Sequence, residues 1–391
     1  MVFLKPTLEN TIMRNALAAL LVAVFLAGCT ENSSTQAPPE AKQKSAVVKT
    51  PISIEASSDK GVKWLLGQQS ESGSYGEFAQ VGLTSFVVAA ALTSPDAQAY
   101  RDDPRVKKAV AYLAAQSKED GSIQPADDRK LANYQTAAAL TALSLYGGEE
   151  YKAVREKAKQ FLLKIQNANP EDAGSWGYNG SGRGDLSNTQ FSLEALRAAG
   201  LPEDSDAFKR CVAFIDRCQN RSESNPEEYS GDDGGAMYFP GSSKAGVIEL
   251  ENGKKIFRSY GSMTYALLRS YILCGVKPDD ARVKAALTWL TDNYTLDVNP
   301  GMPEEQKLQG LYYYYLTMAK ALPLAGVKTL KLKDGTEVNW AKELSDRLIS
   351  LQREDGSWVN AADRWYEGDP TLVTAYALST LAECRKVLEA K

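Results

Sequence analysis

The most informative property of this 391-residue sequence is that it contains no histidine. Without imidazole the chain cannot form a Ser–His or Cys–His nucleophile, use a histidine general base, or build a metal site that contains histidine. An excess of one charge is also lacking, because 45 basic residues stand against 49 acidic ones. The net charge of −4 argues against a nucleic-acid partner, which usually requires a basic patch.

Long apolar runs are scarce, and the clearest one lies near the N-terminus at residues 16–27 (ALAALLVAVFLA). A run of this length is too short to span a bilayer and is typical of a signal-peptide core. It ends in Leu26-Ala27-Gly28-Cys29, which resembles the lipobox of bacterial lipoproteins, where cleavage precedes the cysteine and its sulfur is acylated. We therefore predict a signal peptide over residues 1–28.

The segment after the lipobox predicts a membrane tether. We expect Cys29 to be the acylated residue and residues 29–58, rich in Ser, Thr, Pro and Lys, to form a flexible linker. Thr30 follows the cysteine in place of the aspartate that is associated with inner-membrane retention. The predicted location is therefore the bacterial cell envelope, lipid-anchored in the outer membrane and facing the periplasm.

Six copies of one helical hairpin fill residues 59–391. Each copy begins with an amphipathic helix, as in KAKQFLLKIQNANPEDAGSWG (157–177), and continues with a more apolar helix, as in TAYALSTL (374–381). Six amphipathic helices around six apolar ones predict an all-α fold, a six-hairpin α/α toroid. The alternative is an open superhelix, which needs polar capping repeats at both ends.

The recurring pattern of Trp or Phe, Leu, Gln and Gly-Ser-Trp or Gly-Ser-Tyr resembles a known repeat. It is similar to the QW-type repeat of squalene and oxidosqualene cyclases and of protein prenyltransferase β subunits. The resemblance implies a closed toroid with a central cavity, but it is less specific for activity, because the same fold occurs in unrelated binding proteins. The matching residues are Trp64, Gln69, Gly73, Tyr75, Phe161, Gln166, Gly174, Trp176, Gln352, Gly356 and Trp358.

The motifs that carry chemistry in that family are missing. Class II terpene cyclases protonate their substrate with Asp-x-Asp-Asp, class I enzymes hold magnesium with Asp-Asp-x-x-Asp, and prenyltransferases bind zinc through Asp, Cys and His. We therefore predict no metal and no cofactor. The acidic pairs that complete neither aspartate motif are Asp102-Asp103, Asp127-Asp128, Asp232-Asp233 and Asp279-Asp280.

Three acidic residues remain as candidate catalytic groups. Asp232 and Asp233 lie in the Gly-rich loop SGDDGGAMYF (230–239), and Asp363 lies in ADRWYEGD (362–369). Asp and Gly also form ordinary turns, which is the alternative interpretation of the first loop. Arg364 and Trp365 suit a polar head group or a sugar, but a loop that covers a helix end has the same composition.

Other candidate cavity residues lie on the second helices. Gln135, Asn188 and Gln190 suit hydrogen bonds to a ligand, and they flank threonines at equivalent first-turn positions. Those threonines predict a polar ring at one mouth, although Thr is also a good helix cap. The threonines are Thr84, Thr136, Thr189, Thr264 and Thr374.

Four consecutive tyrosines begin the fifth inner helix. On a helix their directions differ by about 100°, so one or two of them face the cavity. Aromatic walls suit prenyl chains, carbocations and sugar faces alike. The candidates are Tyr312, Tyr313, Tyr314 and Tyr315.

Two short insertions and four cysteines complete the sequence features. VIELENGKKIF (247–257) and VKTLKLKDGTEV (327–338) alternate around Asn-Gly and Asp-Gly, which predicts two small β-hairpins. Cys211 and Cys218 are about 10.5 Å apart along one helix, too far to pair with each other. Pairing of either with Cys274 stays open, and Cys384 has no assigned partner.

These features predict a membrane-anchored prenyltransferase- and squalene-cyclase-like repeat protein. We expect it to bind an apolar, isoprenoid or glycan ligand or a protein partner, without known cyclase chemistry. One alternative is an enzyme of the same superfamily with displaced acids such as Asp232, Asp233 or Asp363. Another is a carbohydrate-active enzyme, whose carboxylate chemistry needs no histidine.

Overall fold

The computed structural model describes residues 52–126 and 129–390. The predicted signal peptide, Cys29, most of the predicted linker and the pair Asp127-Asp128 lie outside the described residues. Within the described part the chain forms 13 α-helices and two short β-hairpins.

The helices follow one another in pairs, and in each pair the first helix is outer and the second inner. In chain order they are α1 (Ile54–Gly67) and α2 (Gln80–Thr93), a short connecting helix α3 (Ala97–Asp102), α4 (Pro104–Ala115) and α5 (Ala132–Tyr146), α6 (Lys152–Lys164) and α7 (Leu186–Ala198), α8 (Asp206–Cys218) and α9 (Gly261–Leu273), α10 (Ala281–Asp292) and α11 (Leu311–Leu324), and α12 (Trp340–Leu351) and α13 (Pro370–Glu389).

Burial separates the two kinds of helix. The inner helix α9 is buried on all sides from Gly261 to Tyr271. The outer helix α6 buries only Ala158, Phe161 and Leu162, which share one face, and exposes charged residues on the other. Each outer helix therefore covers the inner ring with a single apolar stripe.

The inner helices form a closed ring. Their order of contact is α2, α5, α7, α9, α11 and α13, and α13 packs against α2 to complete the circle. The outer helix α1 also packs against both α13 and α2, so the first and last repeats adjoin. This arrangement confirms the predicted six-hairpin α/α toroid and excludes the open superhelix.

The first outer helix begins inside the segment that we assigned to the linker. Ser53 caps α1 by accepting a hydrogen bond from the Ala56 backbone N–H. Val62, Leu65 and Leu66 then pack into the core. The helix starts at Ile54, ahead of the predicted domain boundary at residue 59, because Ser53 supplies the cap there and Ser57 and Ser58 are already buried.

Both β-hairpin insertions are present. The first pairs β1 (Val247–Glu249) with β2 (Lys255–Phe257) between α8 and α9, and the second pairs β3 (Leu330–Lys331) with β4 (Glu337–Val338) before α12. Both pairs are antiparallel, as the Asn-Gly and Asp-Gly turns predict.

The glutamine of the recurring turn motif links neighbouring repeats. Gln166 donates through Nε2 to the carbonyl of its own turn and to the Ala207 carbonyl on α8, both at 2.8 Å. Gln352 makes the corresponding bond to the Ser57 carbonyl on α1 at 2.9 Å. The same motif that joins the third repeat to the fourth therefore joins the sixth repeat to the first.

The inner-helix threonines bind the backbone of their own turns, and the predicted polar ring at the mouth does not form. The Thr374 hydroxyl accepts a hydrogen bond from the Trp358 N–H at 2.9 Å. All five threonines are fully buried. The other four bonds run from Tyr75 to Thr84, from Ile123 to Thr136, from Trp176 to Thr189 and from Ala236 to Thr264.

Candidate functional site

The loops that connect outer to inner helices meet at one end of the toroid and surround a cavity of about 200 Å³. Its walls are mostly apolar, and aromatic rings determine its shape. Ten of the 21 lining residues are aromatic, namely Phe78, Tyr134, Tyr178, Phe191, Tyr238, Tyr260, Tyr313, Trp365, Tyr366 and Tyr376.

The floor of the cavity is an aromatic layer to which five of the six inner helices contribute. Phe191 on α7 meets Tyr134 on α5 edge-on, with ring centroids 5.7 Å apart, and Tyr313 on α11 at 6.1 Å. Tyr376 on α13 lies 6.2 Å from Tyr313. Phe86 on α2 packs against three of these rings and completes the layer.

Two aromatic contacts cover part of the mouth. The rings of Phe78 and Tyr366 stack with centroids 4.1 Å apart and planes 13° apart. Beside them the indole of Trp365 packs against Gly310, where an added Cβ would lie 3.1 Å from the ring. The loop before α2 and the loop before α13 therefore meet above the cavity.

A wider groove of about 890 Å³ adjoins the cavity and carries charge of both signs. The Lys244 ammonium lies 4.5 Å from the centroid of the Tyr238 ring, and Arg183 pairs with the buried Asp172 at 2.8 Å. The charged residues that line the groove are Arg183, Asp185, Lys244, Asp363, Arg364 and Asp369.

Glu367 is a buried carboxyl group in the cavity wall. It accepts hydrogen bonds from the backbone N–H of Tyr313 at 2.8 Å and of Tyr312 at 3.2 Å, at the N-terminus of α11. The side-chain amide of Asn360 adds a third bond at 2.6 Å. Burial raises the pKa of Glu367 to about 7, although these donors oppose the effect.

Asp185 is a second buried carboxyl group, placed where the cavity meets the groove. It caps α7 by accepting the Asn188 backbone N–H at 2.9 Å, and it also accepts the Asn188 side-chain amide at 2.7 Å. Burial raises its pKa above the ordinary value. Asn188, which we predicted as a cavity residue, lines the cavity in this orientation.

Of the four predicted tyrosines, Tyr313 lines the cavity. Its neighbours Tyr312, Tyr314 and Tyr315 are buried outside the lining. The hydroxyl of Tyr314 donates to the Thr295 carbonyl at 2.9 Å, and that of Tyr315 donates to the Leu296 carbonyl. Three of the four rings therefore pack the fifth repeat.

Gln190 lies beneath the cavity and connects its floor to a buried ion cluster. It accepts a hydrogen bond from the Tyr313 hydroxyl at 3.2 Å and donates to Glu194 at 3.1 Å. Arg269 and Lys320 lie 3.0 and 2.5 Å from the Glu194 carboxylate. Burial opposes ionisation of Glu194, but these two cations hold its pKa below the ordinary value.

Gln135 and the two aspartates of the Gly-rich loop do not line the cavity or the groove. Gln135 is fully buried in α5. Asp232 accepts a hydrogen bond from the Ser222 backbone N–H at 2.7 Å, and Asp233 accepts from Gly235 N–H at 2.9 Å and from Ser259 at 2.8 Å. Both carboxylates therefore stabilise the turn, which is the ordinary role of Asp in such a loop.

The segment around Asp363 does lie at the site. Asp363, Arg364 and Trp365 line the groove, and Trp365 also lines the cavity. The Arg364 guanidinium lies 5.7 Å from the Trp365 ring centroid. Sequence reasoning missed Glu367 in the same segment, because an isolated acidic residue after two aromatics gives no sign of burial.

Three further observations bear on cofactors, disulfides and membranes. Within the described residues no group of three or more potential metal ligands comes together. The four cysteines found there are free and buried, and the Cys211 thiol hydrogen-bonds to Cys274. None of the described helices is long and apolar enough to cross a membrane.

Comparisons with known proteins show the fold. No protein-family model matches the chain, and no curated protein matches it. Among solved structures, the type II terpene cyclase MstE from Scytonema, in complex with geranylgeranyl dihydroxybenzoate, is similar with a TM-score of 0.52 and 12% identity. The match covers 85% of this chain and 97% of the cyclase.

Two carbohydrate-active proteins are equally similar. D-mannose isomerase matches with a TM-score of 0.53 and 11% identity over 86% of this chain and 97% of its own. The GH76 α-mannanase from Bacteroides thetaiotaomicron matches with a TM-score of 0.52 and 11% identity, over 86% and 98%. At these identities the likeness confirms the α/α toroid alone.

Proposed function

We propose that this protein binds a small ligand that places an apolar ring or isoprenoid branch in the aromatic cavity and its polar part in the groove. The cavity lined by ten aromatic side chains is the observation that carries the proposal. An engineered apolar cavity of about 150 Å³ holds benzene, so a volume of about 200 Å³ suits one substituted ring. Small-molecule sites are typically apolar pockets with a few polar groups.

The carboxyl groups at the cavity support binding more than cyclase chemistry. Glu367 accepts hydrogen bonds from the N-terminus of α11 on both of its oxygens, and Asp185 caps α7. Each carboxyl therefore has a structural role as a helix cap. Our proposal includes no protonation of a substrate by either group.

Toluene and methyl α-mannoside test the proposal as apolar and glycan probes. We expect saturation-transfer NMR to detect toluene binding to the purified protein and no transfer to the mannoside. The substitution Leu372→Trp fills the cavity and abolishes toluene binding, because Leu372 is a buried lining residue. The matched control Leu388→Trp, at a 41% exposed position, retains it. Toluene binding to the Leu372→Trp protein at the wild-type level would contradict the proposal.

A second candidate function is carbohydrate chemistry that uses carboxylates. The groove favours it, because Asp363 and Asp369 lie there beside the rings of Trp365 and Tyr366. Mannose and mannan are suitable probes, since two proteins of similar structure are a D-mannose isomerase and an α-mannanase. Release of sugar from α-mannan that is lost in Asp363→Asn would favour this function over simple binding.

We also propose that Cys29 anchors the protein to the bacterial envelope through a lipid. The lipobox-like sequence before Cys29 and the polar segment after it support this placement. We expect the expressed protein to fractionate with membranes and Cys29→Ser to move it to the soluble fraction. Unchanged fractionation of the variant would contradict the anchor.

A further inference from the structure

Backbone strain is concentrated at the mouth of the cavity. Within the described residues, three residues other than glycine have a left-handed backbone: Ala79 at φ 46°, Trp365 at 58° and Tyr366 at 64°. All three line the cavity. Bulky side chains rarely adopt this conformation, and it persists where surrounding contacts compensate for its cost.

The turn that carries two of these residues has a firmly bound base. The Asn360 N–H donates to the Glu367 carbonyl at 2.9 Å, and the Glu367 carboxylate accepts the Tyr313 N–H at 2.8 Å. The tip adjoins this base at the carbonyl of Tyr366, which accepts the N–H of Asp369, the cap of α13, at 2.9 Å. The base is therefore tied to α11 and α13.

The tip of the turn is bound differently. Within the described part of the chain, the rings of Trp365 and Tyr366 are held by packing, without a side-chain hydrogen bond. Tyr366 stacks on Phe78, and Trp365 packs against Gly310. Phe78 and Tyr366 are 43% and 54% exposed, so the stacked pair lies at the surface. Ring contacts favour the closed position, and backbone strain opposes it.

We propose that the Arg364–Tyr366 turn is a gate over the cavity, closed by the Phe78–Tyr366 stack and opened when Trp365 and Tyr366 leave the left-handed conformation. The base of the turn is fixed, whereas ring contacts and backbone strain act on its tip in opposite directions. Such an element can take two discrete positions. This inference rests on the proposed function, because it assigns the gate to access of the same ligand.

The exchange kinetics of toluene test the gate. Phe78→Ala removes one ring of the stack without changing the turn, so the association and dissociation rates rise together by roughly 2- to 10-fold, as expected from the strength of an aromatic pair. The association rate is the decisive quantity, because Phe78 also lines the cavity and a lost contact between its ring and the ligand would raise the dissociation rate alone. Leu388→Ala is the control, since Leu388 is 41% exposed and lines neither the cavity nor the groove. Its rates stay within twofold of wild type.

A second measurement needs no ligand. Acrylamide quenching of Trp365 fluorescence is obtained by subtracting the signal of a Trp365→Phe protein from that of the same protein with Trp365. This quenching rises in Phe78→Ala because the open turn exposes the indole. The gate is overturned if the association and dissociation rates of toluene and the quenching of Trp365 are the same in Phe78→Ala as in wild type. That outcome leaves the proposed function intact. If no protein binds toluene, the proposed function fails, and unchanged quenching then overturns the gate as well.

Discussion

At the scale of single residues, Glu367 is a carboxyl group in the cavity wall whose burial opposes its ionisation. Three hydrogen-bond donors favour its ionised form, yet burial raises its pKa from 4.5 to about 7. The folded protein therefore binds this proton more tightly than the unfolded chain does.

This difference predicts a pH-dependent stability. The contribution of Glu367 is fully present below pH 4.5 and is lost as the pH rises to about 7. The change from 4.5 to about 7 corresponds to at most about 3 kcal/mol. We expect Glu367→Gln to remove this dependence, because the amide does not titrate.

Urea denaturation at pH 5 and pH 8 checks the prediction. Groups other than Glu367 titrate in both proteins, so the informative quantity is the difference between the two pH responses. Wild type loses more free energy of unfolding between these pH values than Glu367→Gln does. Equal losses would show that Glu367 has the same pKa in the folded and unfolded states.

Single residues also show how far the sequence predicts the site. Thr189 and Thr374 point to their turns, and residues two positions further along lie about 200° around the helix, facing the axis. Phe191 and Tyr376 occupy these positions and form the cavity floor. Helix geometry was therefore sufficient to predict the aromatic layer. The burial of Glu367 could not be predicted from the sequence, because it depends on contacts between the fifth and sixth repeats.

At the scale of elements, the Gly-containing turns bring neighbouring outer helices into close contact. Gly356 has φ 99°, and an added Cβ would lie 2.7 Å from the Lys60 carbonyl on α1. Gly335, in the turn between β3 and β4, has φ 87° but no atom within 4 Å of that position. The two glycines both have a positive φ and differ in packing.

Alanine substitutions at these two glycines distinguish the cost of backbone strain from the cost of a steric clash. Gly335→Ala is expected to cost about 1–2 kcal/mol, the strain of a left-handed alanine. Gly356→Ala adds a clash between Cβ and a backbone oxygen, which raises the cost by a further 1–3 kcal/mol or so. Urea unfolding of both variants measures the difference. A Gly356→Ala protein as stable as Gly335→Ala would mean that α1 can move away from the turn without loss.

At the scale of the whole molecule, repetition made the toroid predictable and the site unpredictable. Each helix pair repeats a pattern of period 3.6, so its faces and the closure of the ring follow from the sequence. The loops before the inner helices differ in composition from repeat to repeat, and their lengths vary widely. Contacts such as Phe78–Tyr366 arise between loops of different repeats, which no local pattern encodes.

Ring closure gives the seam between the last and first repeats the same glutamine hydrogen bond as an internal junction. Gln352 binds the Ser57 carbonyl across the seam, and Gln166 binds the Ala207 carbonyl within the chain, with nearly equal distances. We expect Gln352→Ala and Gln166→Ala each to lower the free energy of unfolding by about 1–3 kcal/mol, because each leaves the carbonyl of its own turn, at Gly356 or Gly174, without its hydrogen-bond donor. Urea denaturation compares them directly. A loss confined to Gln166→Ala would mean that α1 detaches from α13 in solution, whereas matched losses follow from a ring that unfolds as one unit.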